Sequence, residues 1–358
     1  MRKLIVLGLM LLLFTGCYDY VEINEMAIVY GVAVDLKDEE FHVTFEILNT
    51  KNKDDMGQEE KVYYARGTGF SLSEAFTNTA FEIAKTPYLA HLKTVIISEE
   101  VAKNKLEDLL DFMLRDNHIR NIFYLVMARD YKAEEILTSI NTNNPISSNA
   151  ISDLIEHKNL KNNMASAMNF EKFMTTLVDP RQDVYLSSVT LEDSIIKLGS
   201  LGIFDDFKFT HYLTDEESAL LNLITGEAEE YHFKINCPNS QDTIIFSTNK
   251  KSKAKMEVED SKVSLKLEPE LRLVENHCDL DFRTVETYEL LEEKASDYFK
   301  TEMEKLTTTL KDKDSDLLGI KRLYYQKYKK DMELKDFMFE YSVKTIINQN
   351  GLIFEVER

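Results

Sequence analysis

The first seventeen residues constrain the chain most, because they determine on which side of a membrane the rest must fold. They consist of Met1-Arg2-Lys3, an apolar and mostly aliphatic run from Leu4 to Phe14, and then Thr15-Gly16-Cys17. A basic start and a short apolar run are typical of a secretory signal peptide, since a membrane-spanning helix needs roughly 20 apolar residues. The remainder of the chain is therefore expected to fold outside the cytoplasm.

Two small residues directly before a cysteine match the pattern of a bacterial lipoprotein. The chain would be cut between Gly16 and Cys17, and Cys17 would carry a diacylglyceryl group and an N-acyl group. Two acyl chains anchor a protein stably to a bilayer, where one chain is marginal. Phe14 stands where the usual pattern has Leu, and a secreted protein with an incidental Cys17 is the alternative. The sequence predicts a globular protein tethered to the outer face of a membrane.

Length and charge limit what the exported part can be. Removal of residues 1–16 from 358 leaves 342 residues, which is enough for two or three domains of about 100–200 residues each. The net charge is −20, and a chain this acidic repels phosphate backbones, so nucleic-acid binding is excluded. Two short lysine clusters, at 250–253 and 327–330, lie in mixed sequence and are interpreted as solvated faces.

Besides Cys17 the chain has two cysteines, Cys237 and Cys278. Outside the cytoplasm they could form one disulfide. Two separate buried thiols are the favoured interpretation, because a chain of this size does not need a bridge to fold. There is no CxxC pair and no Cys/His cluster, so no structural zinc is expected.

Strand and helix patterns alternate in the first half, which favours a mixed α/β domain. The first helix begins after Ser71, which has capping-box spacing to Glu74, and is expected to end before Pro87. A second helix begins after Ser98 and continues to Met113. Strands are predicted at 26–35, 41–47, 62–65, 92–97, 122–127 and 183–191, and further helices at 133–140, 150–157 and 169–177.

The second half begins at a boundary that we place at residues 193–200. A hairpin around Asp205-Asp206 precedes a helix that Thr214 caps and Gly226 ends. An antiparallel meander at 231–274, helices at 288–310 and 317–328, and a closing strand at 337–347 follow. The predicted fold is therefore a multi-domain α+β or mixed α/β protein. Its parts are an N-terminal mixed α/β domain at 17–192, and a domain with an antiparallel sheet and long helices at 193–358, within which 193–228 could form a separate middle subdomain.

The search for catalytic motifs is negative, since the sequence contains no HExxH, GxSxG, Walker or EF-hand pattern. The segment Gly67-Thr68-Gly69-Phe70-Ser71 resembles the start of a phosphate loop but is interpreted as a turn. The seven histidines are scattered, and His91 is expected to make a structural hydrogen bond. The tyrosines at 324, 325 and 328 could form a partner surface, although a core role is favoured. No catalytic residue, metal or cofactor is predicted, so the chain is not expected to be an enzyme.

Two stretches carry a resemblance to a known family. The segment 17–35 resembles the opening of the Ger(x)C family, the C-subunit lipoproteins of spore nutrient-germinant receptors. A second block resembles the family pattern of His-x-Lys, an apolar strand, a helix and Phe-x-x-Arg. Tyr18 replaces the family's common Trp, and the chain has no Trp. The matching motif residues, expected to be structural or to contact partners, are Asp19, Glu22, Asn24, Gly31 and Asp35 in the first stretch and His91, Lys93 and Arg115 in the second.

The resemblance implies three mixed α/β domains and a non-catalytic subunit on the outer surface of the inner spore membrane. This subunit would assemble with two polytopic receptor subunits, of the A and B types, and would be needed for nutrient-triggered germination. No tightly bound small molecule is expected. The alternatives are a membrane-anchored solute-binding lipoprotein that serves a transporter, and an exported hydrolase.

Overall fold

The computed structural model of the chain describes residue 22 and residues 25–49, 62–139, 144–157, 164–228, 230–238, 240–249 and 252–349. The predicted signal peptide at 1–16, the predicted lipid-bearing Cys17, and the motif residues Asp19 and Asn24 lie outside these residues. So does the end of the chain from 350 onward.

The first half is built on a nine-stranded sheet with a parallel centre. β1, β5, β6 and β7 are parallel neighbours, and antiparallel strands extend the sheet on both sides, in the order β3-β2-β1-β5-β6-β7-β8-β9, while β4 pairs with β1. The strands are β1 (Met26–Lys37), β2 (Glu40–Leu48), β3 (Val62–Gly69), β4 (Thr86–Tyr88), β5 (Thr94–Ile97), β6 (Tyr124–Ala128), β7 (Val184–Glu192), β8 (Ile195–Asp205) and β9 (Lys208–Tyr212).

Helices cross between the parallel strands, because parallel neighbours cannot be joined by a tight turn. Both faces of the sheet are covered, since buried apolar side chains form one large cluster on one face and a smaller cluster on the other, where two short helices pack. The helices are α1 (Leu72–Phe81), α2 (Glu99–Asn104), α3 (Leu106–Arg115), α4 (Ala133–Leu137), α5 (Ser147–Glu156), α6 (Phe170–Leu177) and, after β9, α7 (Asp215–Thr225).

Two predicted helices differ from the structure by more than a few terminal residues. α1 ends at Phe81, and Pro87 lies in the short strand β4 rather than directly after the helix. The single helix predicted from Ser98 to Met113 is two helices, because Lys105 adopts a non-helical backbone (φ −141°, ψ 21°). Neither Gly nor Pro marks this break, so the sequence pattern could not reveal it.

The large sheet continues across the boundary that the sequence predicts. β7 and β8 form a hairpin, with Asp193 and Ser194 in its turn at φ 51° and 63°. β8 then pairs with β9, as the hairpin around Asp205-Asp206 predicts. The division into domains at 192/193 remains a prediction.

The second half contains two sheets where the sequence predicts one antiparallel meander. β11 pairs with β14 rather than with its neighbour β12, and each sheet takes up a parallel strand from the end of the chain. The predicted closing strand at 337–347 is therefore two strands, one in each sheet. The sheets have the orders β10-β11-β14-β16 and β12-β13-β15, with β10 (His232–Asn236), β11 (Thr243–Thr248), β12 (Lys253–Glu259), β13 (Lys262–Glu268), β14 (Glu270–Asn276), β15 (Met338–Val343) and β16 (Ile346–Gln349).

One long helix, α8 (Val285–Asp312), packs across this half, and α9 (Ile320–Tyr328) follows it. The buried residues of α8 recur every three or four positions, which is the spacing of one helix face. Among the described residues, no helix is both long and apolar enough to cross a bilayer. The buried face of α8 consists of Tyr288, Leu291, Ala295, Phe299, Met303, Leu306, Thr307 and Leu310.

The structure joins Cys237 and Cys278 in a disulfide, with a Cα–Cα distance of 5.5 Å. The favoured prediction of two separate thiols is therefore wrong. Cys237 directly follows β10 and Cys278 lies just beyond β14, and both strands pair with β11. The bridge thus depends on a strand order that the sequence pattern does not reveal.

Candidate functional site at the ends of the parallel strands

Asp35, at the carboxyl end of β1, holds the start of a helix. Its Oδ1 accepts a hydrogen bond from the backbone N–H of Ala133 at 2.8 Å, and its Oδ2 accepts one from Glu134 at 2.9 Å. These are the first two residues of α4. Burial raises the pKa of Asp35 above its ordinary value, although both N–H groups act in the opposite direction. This motif residue therefore fixes α4 against the sheet.

Glu46 performs the same task for the next helix and is fully buried. Its Oε1 accepts a hydrogen bond from the N–H of Ser147 at 2.8 Å. Its Oε2 accepts bonds from the N–H of Ser148 at 3.1 Å and from the Ser148 hydroxyl. Burial raises the pKa of the Glu46 carboxyl above its ordinary value. The start of α5 is thus held by a carboxylate from β2.

Gly31 makes room for this arrangement. It lies opposite Glu46 in the pairing of β1 and β2. A Cβ atom on Gly31 would come within 2.8 Å of Leu137 Cδ1 and of Ser148 Cβ, closer than side chains pack. The motif glycine is therefore a position where α4 and α5 approach the strand backbone.

A crevice of about 550 Å³ opens beside Asp35, at the carboxyl ends of β1, β5 and β6. In sheets with parallel strands, ligands bind outside these ends. Among the described residues, no group of three or more His, Cys, Asp or Glu side chains could hold a metal ion. We call this opening the acidic crevice; its charged lining consists of Asp35, Lys37, Glu99, Glu100, Asp130, Lys132, Glu134 and Glu135.

The second block of motif residues lies away from the acidic crevice. His91 is exposed, and its ring meets that of Tyr88 edge-on at 5.6 Å. In the part of the chain that is described, no hydrogen bond to the His91 ring is observed, so the expected structural bond is not found. Lys93 is exposed directly before β5, and Arg115 at the end of α3 bonds through Nε to both oxygens of Asp111 at 2.8 Å.

Arg115 also borders a groove of about 750 Å³ between α1 and α3. Phe41, Leu72 and Phe112 contribute apolar surface to it. Phe70 lies at the groove with 72% of its surface exposed, which is unusual for a phenylalanine. We refer to this feature as the α1–α3 groove.

The two halves of the chain meet at a pair of aspartates. The Asp183 N–H donates to the Asp316 carbonyl oxygen at 3.1 Å, and the Asp316 N–H donates to Asp183 Oδ2 at 2.5 Å. The fully buried Asp316 side chain accepts bonds from the N–H groups of Ile320 and Lys321, at the start of α9. Burial raises the pKa of Asp316 to about 6.

Comparison with known protein families shows to which family the chain belongs. Residues 19–191 match the family described as "Spore germination protein N-terminal domain". Residues 200–351 match "Spore germination B3/GerAC like, C-terminal". The chain belongs to the Ger(x)C family of spore germination proteins. The Asp183–Asp316 contact of this Ger(x)C protein joins a residue matched by the first family to one matched by the second.

Relatives in Bacillus subtilis (strain 168) support the assignment. This Ger(x)C chain is 24% identical to spore germination protein KC over 61% of its own length and 60% of that protein's. It is 24% identical to spore germination protein B3 over 63% and 61%. The matches thus span about three fifths of both relatives. It is also 22% identical to the putative spore germination protein YfkR, over 79% and 77%.

A solved structure supports the fold. The crystal structure of the GerBC protein is similar at a TM-score of 0.55 and 16% identity, over 89% of this chain and 97% of the other. The predicted multi-domain α+β class is therefore confirmed. Sequence reasoning also identified Gly31 and Asp35 as motif residues, but it missed Glu46 and Asp183.

Proposed function

We propose that this Ger(x)C protein is a non-catalytic lipoprotein subunit of a spore germinant receptor. Its anchor is a diacylglyceryl and N-acyl modification of Cys17, and its place is the outer face of the inner spore membrane. It assembles there with two polytopic subunits, of the A and B types, and is needed for nutrient-triggered germination. Family membership and the Thr15-Gly16-Cys17 pattern support this proposal.

The use of the motif residues in helix placement carries the proposal. Both oxygens of the motif residue Asp35 accept hydrogen bonds from a helix start. So do both oxygens of Glu46, which lies opposite the motif residue Gly31. Gly31 allows those helices to approach the sheet. Because these groups fix α4 and α5, they favour the interpretation that the protein is a rigid body that positions partners, rather than one that contains a reacting centre.

The α1–α3 groove is the face that we propose for a partner subunit. It combines an exposed Phe70 with the apolar edges of Phe41 and Phe112, beside the motif residue Arg115. Buried aromatic anchors surrounded by polar groups dominate the energy of protein interfaces. Phe70→Ser should therefore reduce the recovery of partners. Phe81→Ser, on a phenylalanine that is also highly exposed but lies outside the groove lining, should not.

The decisive experiment isolates the complex. A C-terminally tagged chain is purified from detergent-solubilised inner membranes of spores, and its partners are identified by mass spectrometry. Recovery of two polytopic membrane proteins is the expected result, and recovery of the chain alone in gentle detergent would contradict the scaffold mechanism.

Cys17→Ala should release the chain from the membrane fraction and weaken germination. Normal germination with that unanchored variant would contradict the role of the lipid.

Solute binding is a second candidate function, because the acidic crevice lies where parallel sheets bind ligands. Its carboxylates would favour solutes that carry an amino group. The unlike architectures of the two halves do not favour the two similar lobes of a transporter-linked binding protein. A thermal-shift screen with amino acids, sugars and nucleosides tests this candidate. Stabilisation by one solute class, lost in Asp130→Asn, would support it.

A further inference from the structure

The two ends of the parallel strands differ in charge. Their carboxyl ends border the acidic crevice. Their amino ends carry cations: Lys93 directly precedes β5, Arg120 lies shortly before β6, and Arg181 lies shortly before β7. We call the amino ends the basic end for these three cations; the carboxylates Glu25, Asp116 and Asp179 lie in the same segments.

Helix α9 lies at the basic end. The Asp183–Asp316 bonds fix the start of α9 beside the first residues of β7. Arg181, which lies beyond that end of the strand, stacks on Tyr325 of α9 with its guanidinium carbon 3.6 Å from the ring centre. Arg181 also pairs with Asp331 at 2.8 Å. α9 is thus placed past the amino ends of the strands.

The cations around α9 extend this positive surface. Lys321 and Arg322 are four and three residues before Tyr325, so they share its face of the helix. Lys329 directly follows α9, and its Nζ lies 5.8 Å from the centre of the Tyr325 ring. Arg322, Lys329 and Lys330 are exposed, and no described carboxylate pairs with any of them. We call the following set the basic edge: Lys93, Arg120, Arg181, Lys321, Arg322, Lys329 and Lys330.

Strand register places the basic edge on the side from which the chain leads to Cys17. Ser187 of β7 is level with Ala33 of β1, through the pairs Ser187–Val126, Val126–Ile96 and Ile96–Ala33. Asp183, four residues earlier, is therefore level with Val29, near the start of β1.

The distances are compatible with one flat surface. Three strand spacings of about 4.8 Å separate β1 from β7, or about 14 Å. The segment from Cys17 to Met26 can extend at most about 30 Å. A bilayer that holds an acylated Cys17 is therefore within reach of the basic edge. Two exposed apolar residues occur on the same side, Ile122 before β6 and Val178 before β7.

We infer that the basic edge lies against the anionic headgroups of the membrane that carries the protein, with the acidic crevice facing away from it. The inference rests on the proposed anchoring at Cys17. Charge complementarity is the reason: in a chain of net charge −20, the exposed cations Arg322, Lys329 and Lys330, with which no described carboxylate pairs, cluster on the side of the anchor. Basic residues are attracted to an anionic bilayer within a Debye length of about 10 Å, while the carboxylates at the far end are screened.

Lysine acetylation on tethered protein tests the orientation. Residues 18–358, which include every described residue, are held on vesicles through an N-terminal histidine tag and a nickel-chelating lipid. This tether replaces the acyl chains, so the test does not depend on whether Cys17 is acylated. Acetylation rates are compared on neutral and phosphatidylglycerol-containing vesicles by mass spectrometry. Lys93 and Lys329 should react roughly fivefold more slowly on the anionic vesicles, whereas Lys37 and Lys132, at the acidic end, should not change.

Charge-reversal variants identify the cause of any protection. Lys93→Glu/Arg322→Glu should abolish the protection of Lys329, with an unchanged melting temperature as the check on folding. The matched control, Lys37→Glu/Lys132→Glu, changes the net charge equally at the acidic end and should leave the protection intact. Equal acetylation rates on both kinds of vesicle would overturn the inference. An acidic protein segment would then be the partner expected at the basic edge. Protection lost equally in both variants would overturn it as well, because bulk charge would then be the cause.

Discussion

The short helices α4 and α5 of the first half and the long helix α8 of the second half are placed by different means. The short helix α9 of the second half is held like α4 and α5, because the buried Asp316 accepts hydrogen bonds at its start. In the first half, Asp35 and Glu46 reach from the sheet to the starts of α4 and α5, so buried carboxylates position short helices. In the second half, the 28-residue α8 presents a regular apolar face, and a disulfide joins the strands that flank β11.

The contrast follows from helix length. A helix of five residues such as α4 has little apolar surface to bury and little intrinsic stability. A charged acceptor at its positive end can fix its position where packing alone would not. A helix as long as α8 buries a continuous apolar face. Polar contacts with the strands add to this packing, such as the hydrogen bond from the Ile347 N–H of β16 to Glu292 Oε1 at 2.9 Å. The halves should therefore respond differently to redox conditions, to pH and to the loss of single carboxylates.

Loss of the disulfide should produce the largest effect and should fall on the second half. A bridge across 41 residues stabilises a folded chain by about 4 kcal/mol through the entropy of the unfolded state. Cys237→Ala/Cys278→Ala should therefore lower the free energy of unfolding by about that amount in urea titrations. Amide exchange should accelerate more in β10, β11 and β14 than in β1 and β5.

Reduction supplies the control for this variant. A reductant should destabilise the parent chain and leave the double variant unchanged. Equal acceleration of exchange in both halves would show that the bridge stabilises the whole core, and the contrast between the halves would then be wrong.

The next effect concerns the contact between the halves. The pKa of Asp316 is about 6 in the folded chain, above its ordinary value of 3.8. Between these values the folded state binds more protons than the unfolded state, so stability falls as pH rises from about 4 to about 6. The loss from this group is on the order of 3 kcal/mol.

Asp316→Asn should remove this part of the pH dependence, because asparagine does not titrate. Urea titrations at several pH values between 4 and 7 measure it. Asp312→Asn, on an exposed position of α8, removes the same charge and should keep the slope of the parent. An unchanged slope in Asp316→Asn would show that burial does not control this carboxyl group.

The sequence correctly predicted the helix ends and turns that local signals determine. The helix α7 begins after Thr214 and ends at Gly226, as the capping box and the left-handed glycine require. The turn at Asp205-Asp206 lies between β8 and β9. In each case the signal lies within a few residues of its effect, so no knowledge of the tertiary fold was needed.

The remainder depends on neighbours that are distant in sequence. Periodicity identified β11 and β12 but not their partners, so the two sheets were missed and the disulfide was the less favoured of two alternatives. Glu46 alternates with Phe45 and Ile47, which is the pattern of a half-buried strand with a solvated face. It is buried because α5 covers that second face, and only the fold brings Ser147 and Ser148 to it.

Substitution of Glu46 should produce the smallest of the three effects and sharpens the comparison most. Glu46→Gln keeps the shape of the side chain but directs an amide NH2 group at a donor, so one buried N–H at the start of α5 loses its acceptor. An unpaired buried donor costs about 1–3 kcal/mol, and we expect the free energy of unfolding to fall by about 2 kcal/mol. Glu40→Gln, at the start of the same strand, should have little effect.

Amide exchange then distinguishes two explanations for the loss of stability in Glu46→Gln. Faster exchange at Ser147, Ser148 and the rest of α5 alone would make Glu46 a clamp for one helix, as its contacts indicate. Faster exchange throughout β1 and β2 would instead make the carboxylate part of the sheet core, and the first half would then resemble the second in depending on a single continuous core.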